Sequence, residues 1–484
     1  MSSEPQNLLF IMSDQHSRAM LGCNGHPVVK TPNLDELARQ GINFSNAYTN
    51  SPICVPARAS LATGRYPHSI GAWDNAAPYT GEPASWGRRL TEQGVPVTTI
   101  GKLHYRSTED DTGFPDQRLP MHVSNGVGDL YTLIREAGIP VKEGIPRKLV
   151  LNAGPGESAY TRFDRAVTGE AVKYLREEAP ASQKPWALFV SYACPHFPLI
   201  APREYYDLYP LEDIVFPIQY GLDQRPVHFV LNEYRRLSGL ADELDEADIR
   251  KAIAAYYGLC SFMDAQVGEV LSALRETGLD KNTRIIYTSD HGDTMGDHGL
   301  WFKSTMYEGS AGIPFIMSGP DLPAGTTVKD NISLIDCFPT ILESVGVRLK
   351  EEDSGLPGMS LLKLARGEPA PNRTVFAEYH AAGSITGFFM LRDAECKYIH
   401  YVDYPPQLFN LKEDPDELKD LAGDPLYAPV IRRFEQTLGE ITDPAETNSE
   451  AKEDQLRRLN AHGGREQIIA QGFKVPFTPA PDVS

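Results

Sequence analysis

The chain has few cysteines, and they lie far apart. Its six cysteines include no C-x-x-C pair. The sequence therefore predicts neither a zinc knuckle nor a dense disulfide framework. A reducing compartment is the simplest interpretation of the spacing, which places the cysteines at positions 23, 54, 194, 260, 337 and 396.

Long hydrophobic runs are also missing. The apolar run from Leu8 to Met12 is too short for the core of a signal peptide, and no cationic segment precedes it. No stretch reaches the roughly 20 apolar residues that a membrane-spanning helix needs. We therefore expect a cytoplasmic protein that has no membrane partner.

Positive charge is scarce. Lys and Arg number 46 against 65 Asp and Glu, which gives a formal net charge of −19. A chain this negative repels phosphate backbones and anionic lipid surfaces. The composition argues against a nucleic-acid partner and favours a small substrate.

Strand-like and helix-like segments alternate along most of the 484 residues. This alternation is typical of a sheet covered by helices on both faces. We therefore expect an α/β fold with a large mixed, mostly parallel sheet sandwiched by helices. The patterns predict strands at 8–12, 95–100, 186–192, 284–288 and 314–317, and helices at 32–40, 166–178, 247–276 and 334–345.

The pattern changes after a turn-rich segment at 365–373. Closely spaced short strands and one helix then predict a small antiparallel sheet with a helical cover. The final residues are polar and then rich in proline, so we expect an arm that lies on another subunit of a homo-oligomer; a disordered tail is the alternative. The predicted divisions are a catalytic domain at 1–370, a small α+β subdomain at 371–446 and the C-terminal arm at 447–484.

Ligand-type side chains follow the predicted strands, at the edge where open α/β sheets bind ligands. Asp14 and Gln15 come after the first strand, and Asp290 and His291 come after a later one. Two carboxylates, an amide oxygen and an imidazole suit a hard divalent cation. The sequence therefore predicts a metal site at this edge.

Further polar residues follow other strands. Lys102 and His104 are two residues apart, so in an extended segment they project to the same side and could converge on one anion. His196 follows another strand, and Lys303 closes the loop that Asp290 opens. The remaining polar residues of that loop are predicted to fold it rather than to contact substrate: Asp293, Asp297 and His298.

Residues 54–64 combine a C-x-P-x-R run with a short helical stretch that ends at a glycine. Pro56 suits the first turn of a helix, whose free N–H groups would then face Cys54 and make a niche for an anion. We expect this setting to acidify the Cys54 thiol. Arg58, one turn on, projects from the same face and could hold an oxyanion.

These motifs resemble those of type I sulfatases of the alkaline phosphatase superfamily. The similarity spans nearly the whole chain and is strongest over 7–75, which includes Gly25-His-Pro-Val-Val-Lys-Thr-Pro-Asn33 and Gly64-Arg-Tyr-Pro-His68. Within the superfamily, the N-terminal third is most similar to choline sulfatases and phosphonate monoester hydrolases: Asp14-Gln15 replaces the double Asp common in arylsulfatases, and His291 stands where many arylsulfatases carry Asn.

The resemblance implies that a maturation enzyme oxidises Cys54 to formylglycine, an aldehyde that hydrates to a gem-diol. The modified residue would then join the divalent metal together with four other ligands, and Ca²⁺ fits this oxygen-rich set best, with Mg²⁺ or Mn²⁺ as alternatives. The implied ligands are Asp14, Gln15, residue 54, Asp290 and His291.

The resemblance also implies roles in hydrolysis of a sulfate monoester. One gem-diol oxygen attacks sulfur, and Lys102, Lys303 and Asn75 contact the transferred anion. His196, with Lys303 nearby, protonates or stabilises the leaving oxygen, and His104 deprotonates the second hydroxyl to release sulfate.

Three other hypotheses stay open at this point. A phosphonate monoester or phosphodiester hydrolase would use the same site, but sulfatases keep the Lys102/His104 pair and phosphonate monoester hydrolases generally do not. A thiol hydrolase would use Cys54 with His104 or His196. A non-catalytic anion-binding protein is the third hypothesis.

The sequence leaves the alcohol part of the substrate open. Choline would need an aromatic or acidic cage for its quaternary ammonium, and four aromatic residues near the motifs are candidates: Trp73, Trp86, Tyr105 and Trp301. The C-terminal tail does not match the ending of choline sulfatases. Aryl, alkyl and sugar sulfates therefore stay open as well.

Overall fold

The computed structural model of the chain describes residues 6–139, 144–368, 373–471 and 478–483. The predicted domain boundary at 370/371 and residues 472–477 of the predicted arm lie outside the described residues. The division into domains therefore stays a prediction.

The described residues form strands of one large sheet, one small sheet and a two-stranded pair. In chain order the strands are β1 (Asn7–Asp14), β2 (Ile42–Tyr48), β3 (Val97–Lys102), β4 (Asp116–Met121), β5 (Gly154–Pro155), β6 (Ala187–Pro195), β7 (Ile200–Ala201), β8 (Thr283–Ser289), β9 (Gly312–Ile313), β10 (Phe315–Ser318), β11 (Thr326–Ser333), β12 (Val375–Tyr379), β13 (Phe388–Arg392), β14 (Cys396–Tyr401) and β15 (Tyr404–Asn410).

Helices connect and cover these strands. In chain order the α-helices of the described residues are α1 (Pro32–Gln40), α2 (Cys54–Thr63), α3 (Pro67–Ile70), α4 (Trp86–Glu92), α5 (Ile145–Leu151), α6 (Ala159–Lys173), α7 (Arg203–Tyr206), α8 (Phe229–Leu237), α9 (Glu246–Glu276), α10 (Glu308–Ala311), α11 (Cys337–Ser344), α12 (Leu362–Ala365), α13 (Ala428–Ile441), α14 (Pro444–Ala461) and α15 (Arg465–Gln471).

The large sheet is mixed and mostly parallel, as predicted. Its strand order is β11-β2-β10-β8-β1-β6-β3-β4, and β9 pairs with β2. Strand β1 is central and runs parallel to both of its neighbours, β6 and β8. Strand β10 is antiparallel to its neighbours. This arrangement places the ends of β1, β6 and β8 side by side at one edge.

Both faces of the sheet are covered. Along β1, Leu9 and Ile11 belong to one hydrophobic cluster, whereas Leu8 and Phe10 belong to another. Side chains of a strand alternate between the two faces, so the two clusters lie on opposite sides. Helices α6 and α9 contribute to the first cluster, and α2 and α11 contribute to the second. The predicted α/β sandwich is therefore confirmed.

Several strands of the large sheet were not predicted from the sequence. Strands β2, β4 and β11 carry polar residues in part. The half-buried positions of β4 and the exposed positions of β11 lack the continuous apolar run that marks a buried strand. Pairing with neighbouring strands, rather than a local hydrophobic pattern, holds them in the sheet.

The small C-terminal sheet is confirmed. Strands β12 to β15 form an antiparallel meander, and α13 packs against it. Helices α14 and α15 were not predicted. Helix α14 has few apolar residues, so its sequence shows little of the hydrophobic periodicity that predicts a helix. Polar contacts hold it in part: buried Gln455 donates to Asp74, and Arg458 pairs with the same carboxylate.

Residues 478–483 return to the catalytic part of the same chain. Ala480 and Val483 pack against the hydrophobic cluster that contains α6 and α9. The expected contact of the arm with another subunit stays a prediction. All six cysteines are free, and no described helix is long and apolar enough to cross a membrane.

A buried ion cluster joins the small sheet to the large one. Lys397 on β14 contacts Glu308 on α10 at 2.5 Å and Glu417 at 2.9 Å, and its Nζ donates to the carbonyl of Met306. Lys397 is fully buried. Removing one partner of a buried ion pair leaves the other charge without compensation, which costs about 3–5 kcal/mol.

We therefore expect Lys397→Met to lower the free energy of unfolding by about 3 kcal/mol or more, measured by urea denaturation. The matched control is Lys412→Met, since Lys412 pairs with Glu395 on the exposed surface. That control should leave the midpoint of urea denaturation almost unchanged, because surface substitutions away from special features have small effects. Equal effects of the two substitutions would contradict the role of the cluster.

Candidate active site

Two carboxylates meet where β1 and β8 end. The strands are parallel and in register up to Ser13 and Ser289, so Asp14 ends one strand and Asp290 follows the other. Arg58 lies between them: its Nε donates to Asp290 at 2.8 Å, and its Nη2 donates to Asp14 at 3.3 Å. The sheet edge thus brings the predicted acidic residues together.

Residue 54 begins α2 and points at the same place. The Cys54 Sγ lies 3.6 Å from Asp14 Oδ1 and 3.2 Å from His291 Nε2, and it accepts from Lys303 Nζ at 3.1 Å. The next amide, Val55 N, donates to the side-chain oxygen of Asn75 at 3.2 Å. The start of the helix is therefore fixed against a strand edge on one side and Asn75 on the other.

Four of the predicted ligands form one compact group. Ligand atoms of Asp14, Cys54, Asp290 and His291 all lie within 4.8 Å of one another, and all four residues are buried. His291 Nδ1 lies 3.1 Å from the carbonyl of Gly292. A proton on Nδ1 leaves the lone pair of Nε2 facing the group, as in metal-bound histidines. The residues present therefore fit a divalent metal.

The fifth predicted ligand, Gln15, borders this group. Its Oε1 accepts from Lys303 Nζ at 2.8 Å, and its amide nitrogen donates to Asp293 at 2.6 Å. Asp293 therefore orients Gln15, as expected of a loop residue. Asp297 and His298 serve the loop itself, since they hydrogen-bond to Ile218 and Gln219.

The two carboxylates have opposite pKa shifts. Burial opposes ionisation of Asp14, but Lys102 and other nearby positive charges hold the pKa of Asp14 well below its usual range. Burial and the charge of Asp14 raise the pKa of Asp290 to about 6. Lys102 Nζ lies 2.7 Å from Asp14 Oδ2 and supplies the closest of these positive charges.

Arg58 bonds to several groups of the protein, and its expected contact with an oxyanion stays a prediction. In addition to the two carboxylates, its Nη1 donates to the carbonyl of Lys102 at 2.5 Å and to Ser191 Oγ at 2.9 Å. The guanidinium therefore positions the two acidic groups. Ser191 was not predicted as a site residue. Nothing in the sequence of a buried strand marks a serine whose hydroxyl oxygen accepts a hydrogen bond from an arginine.

Three histidines of the site are neutral. Burial, followed by the charge of Lys102, lowers the pKa of His104 well below its usual value. Burial, followed by the charge of Lys303, does the same for His196 and His291. His196 Nδ1 lies 2.7 Å from the carbonyl of Phe197, which fixes its ring.

The C-terminal tail reaches one of these histidines. Thr478 Oγ1 lies 2.9 Å from His104 Nε2, and the carbonyl of Thr478 accepts from the Tyr160 hydroxyl at 2.7 Å. Neither Thr478 nor Tyr160 was predicted as a site residue, because 374 positions separate Thr478 from His104 and no motif links them.

The thiol of Cys54 is not acidified. Burial and the negative charge of Asp14 raise its pKa to about 11, although Lys303 and Lys102 act in the opposite direction. Our expectation from the helix N-terminus was therefore wrong, because desolvation and a neighbouring carboxylate outweigh the helix. A protonated thiol is a poor nucleophile, which argues against the thiol-hydrolase hypothesis.

A cavity of about 960 Å³ opens above Cys54. Its inner end is lined by Cys54, Asn75, Lys102, His104, His196 and Lys303. The candidate cage aromatics are elsewhere: Trp86, Tyr105 and Trp301 are buried in hydrophobic clusters, and Trp73 makes an edge-to-face contact with His380. The cage expectation was wrong because these aromatic side chains pack in the interior beneath the motifs.

The fold and the site define a class: a hydrolase of anionic esters, with a buried nucleophile position between cations and a group of potential metal ligands. The family model described as Sulfatase matches residues 6–347, and one described as N-sulphoglucosamine sulphohydrolase, C-terminal, matches residues 296–444. The chain belongs to the sulfatase family, and it is a sulfuric ester hydrolase.

Curated relatives agree with this assignment. Arylsulfatase K of Danio rerio is 30% identical over an alignment of 468 positions, which covers 91% of this chain and 84% of that protein. Choline-sulfatase of Rhizobium meliloti (strain 1021) is 30% identical over an alignment of 476 positions, which covers 95% of this chain and 91% of that protein.

Solved structures share the fold. Phosphonate monoester hydrolase of Agrobacterium radiobacter is 25% identical, with a TM-score of 0.72 over 90% of this chain and 95% of that chain. A protein solved with its substrate D-glucosamine-2-N,6-O-disulfate is 22% identical, with a TM-score of 0.71 over 93% of this chain and 99% of that chain. The phosphonate alternative thus finds a structural neighbour, whereas the family and the named relatives are sulfatases.

The raised pKa of the Cys54 thiol can be tested in metal-free protein that carries the unmodified cysteine. With a pKa of about 11, the thiolate fraction still rises about tenfold for each pH unit between 8 and 10. We expect the rate of iodoacetamide alkylation at Cys54, followed by peptide mass spectrometry, to rise accordingly. A rate that levels off near pH 7 would show an acidified thiol instead.

Proposed function

We propose that Cys54 is converted to formylglycine and that this residue, beside a bound Ca²⁺ ion, is the nucleophile for hydrolysis of sulfate monoesters. The observation that carries the proposal is the surroundings of Cys54 Sγ, which lies next to Asp14, His291 and Lys303. This position suits an oxygen nucleophile, whereas the thiol itself stays protonated. A maturation enzyme would have to supply the oxidation.

The ligand group would hold the metal. Asp14, Asp290, His291 and the modified residue 54 would bind it, with Gln15 as a further oxygen donor. A divalent metal supplies Lewis acidity at the transferred sulfuryl group. Oxygen ligands predominate, which favours Ca²⁺.

A hydrated aldehyde at position 54 supplies two hydroxyl groups, one for attack on sulfur and one whose deprotonation releases sulfate. His104 is neutral and lines the cavity beside residue 54. We assign to it the removal of the proton from the second hydroxyl. Serine or an unmodified thiol offers no second hydroxyl.

The remaining side chains of the inner cavity bind the anion and the leaving group. Lys102, Lys303 and the amide of Asn75 would contact the sulfuryl oxygens before reaction begins. His196 is neutral in the resting site, and the negative charge of a bound sulfate ester favours its protonation. Protonated His196 would then donate to the leaving oxygen.

The outer cavity favours an apolar alcohol over choline. Its described lining includes aliphatic side chains of Leu130, Ile134, Ile145, Leu149 and Leu237. Tyr234 and Tyr379, which also line it, donate their hydroxyl protons to backbone carbonyls. We therefore propose sulfate esters of aryl or alkyl alcohols as substrates.

Asp129 gives choline little electrostatic support. It is the single acidic residue among the described residues that line the cavity. Burial raises its pKa to about 7, so its carboxyl is only partly ionised near neutral pH. A quaternary ammonium would find neither a full negative charge nor the predicted cage.

Sulfate release from the sulfate esters of three primary alcohols tests this proposal. Because the leaving groups are of one chemical type, differences in kcat/KM report recognition of the alcohol rather than its intrinsic reactivity. We expect matured enzyme to prefer decyl sulfate over choline sulfate and glucose 6-sulfate. If four methylene groups of the decyl chain are buried against the aliphatic wall, they contribute about 3 kcal/mol. This corresponds to a kcat/KM roughly 100-fold higher for decyl sulfate than for the two polar esters. Leu149→Ser should lower kcat/KM for decyl sulfate and leave glucose 6-sulfate unchanged.

Two further comparisons complete the test. Cys54→Ser should release at most one equivalent of alcohol without steady turnover, since serine cannot expel sulfate. A phosphonate monoester should react more slowly than the sulfate ester of the same alcohol. Preference for choline sulfate or glucose 6-sulfate would overturn the proposed substrate class, and steady turnover by Cys54→Ser would overturn the mechanism.

A further inference from the structure

The end of β6 leaves backbone groups that the sheet does not pair. Strands β3 and β6 pair only as far as Gly101 and Ser191. On the other side, the register with β1 shifts between Met12 and Asp14. Buried N–H groups beyond this point need another acceptor.

Asp164 supplies that acceptor. Its Oδ1 accepts from Ala193 N at 2.8 Å, and its Oδ2 accepts from Cys194 N at 2.8 Å. The side chain is fully buried. Bonds from backbone N–H groups to a carboxylate are charge-assisted and short, so both carboxylate oxygens are committed to two consecutive peptide groups.

The helix that carries Asp164 is itself firmly placed. Helix α6 packs along β6, and Tyr160 and Thr168 lie one turn to either side of Asp164 on the same buried face. Tyr160 borders the cavity, while Thr168 hydrogen-bonds to Tyr192. Asp164 therefore ties the end of the strand to a rigid element.

The segment held by Asp164 leads directly to His196. A turn follows, in which His196 N donates to the carbonyl of Ala193 at 3.2 Å. His196 Nδ1 lies 2.7 Å from the carbonyl of Phe197, and the ring lines the inner cavity. The position of the imidazole therefore depends on where Ala193 and Cys194 are held.

We infer that Asp164 is a positioning residue for leaving-group protonation: it fixes the Ala193–Cys194 amides and thereby aims His196 at the leaving oxygen. The inference rests on the proposed function, in which His196 donates that proton. Asp164 itself does not touch the substrate. Replacing it should therefore lower kcat most for substrates whose leaving group needs a proton.

Asp164→Asn tests the inference with little change in shape. The asparagine oxygen can accept from one amide, but its NH₂ group faces the other N–H without a hydrogen bond. We expect kcat for phenyl sulfate, a poor leaving group, to fall about 100-fold, within the 10²–10⁴-fold that general acid catalysis contributes. For 4-nitrophenyl sulfate, which needs little protonation, kcat should fall less than about threefold.

Two variants serve as controls. Thr168→Val removes a buried hydroxyl from the same face of α6 without touching the two amides, so it should lower kcat for the two substrates equally, if at all. In a His196→Gln background, Asp164→Asn should cause no additional loss with phenyl sulfate, since residues that act through one another are not additive. Thermal unfolding of each variant reports its structural effect separately.

The outcomes separate the inference from the proposed function. Equal losses for both esters in Asp164→Asn, or an additional loss with phenyl sulfate in the His196→Gln background, would overturn the positioning role while leaving sulfate ester hydrolysis intact. A matured wild-type enzyme that hydrolyses neither ester would overturn the proposed function and, with it, the inference.

Discussion

The whole site depends on the burial of two neighbouring carboxylates at the ends of two adjacent parallel strands. Asp14 and Asp290 are both fully buried and share Arg58 as a partner. Negative charges this close and this deep require compensation, which Arg58 and Lys102 provide from the protein and a divalent ion would complete. The cationic surroundings also suit a sulfate ester.

The surroundings of the two carboxylates do not favour a thiolate at position 54. The negative charge and the desolvation that suit a metal also keep the thiol of Cys54 protonated. The proposed hydrated aldehyde would place oxygen there and would provide a second hydroxyl for release of sulfate. The same environment keeps His104 neutral, and therefore able to accept a proton.

Much of this arrangement could be predicted from the sequence, because parallel strands end at a common edge. That rule alone brings residues that follow β1 and β8 together, although 276 positions separate Asp14 from Asp290. It could not reveal contacts made by side chains across the fold, such as Arg58 on Ser191 or Thr478 on His104. The pKa of Cys54 depends on burial and on neighbours, which a local motif does not specify.

The central claim is that residue 54 carries an aldehyde. The most direct measurement is the mass of the peptide that contains position 54, from protein produced together with a formylglycine-generating enzyme. We expect a mass that differs from that of the cysteine peptide by loss of H₂S and gain of oxygen, together with steady sulfate release. Fully active protein in which the peptide retains an unmodified cysteine would contradict it.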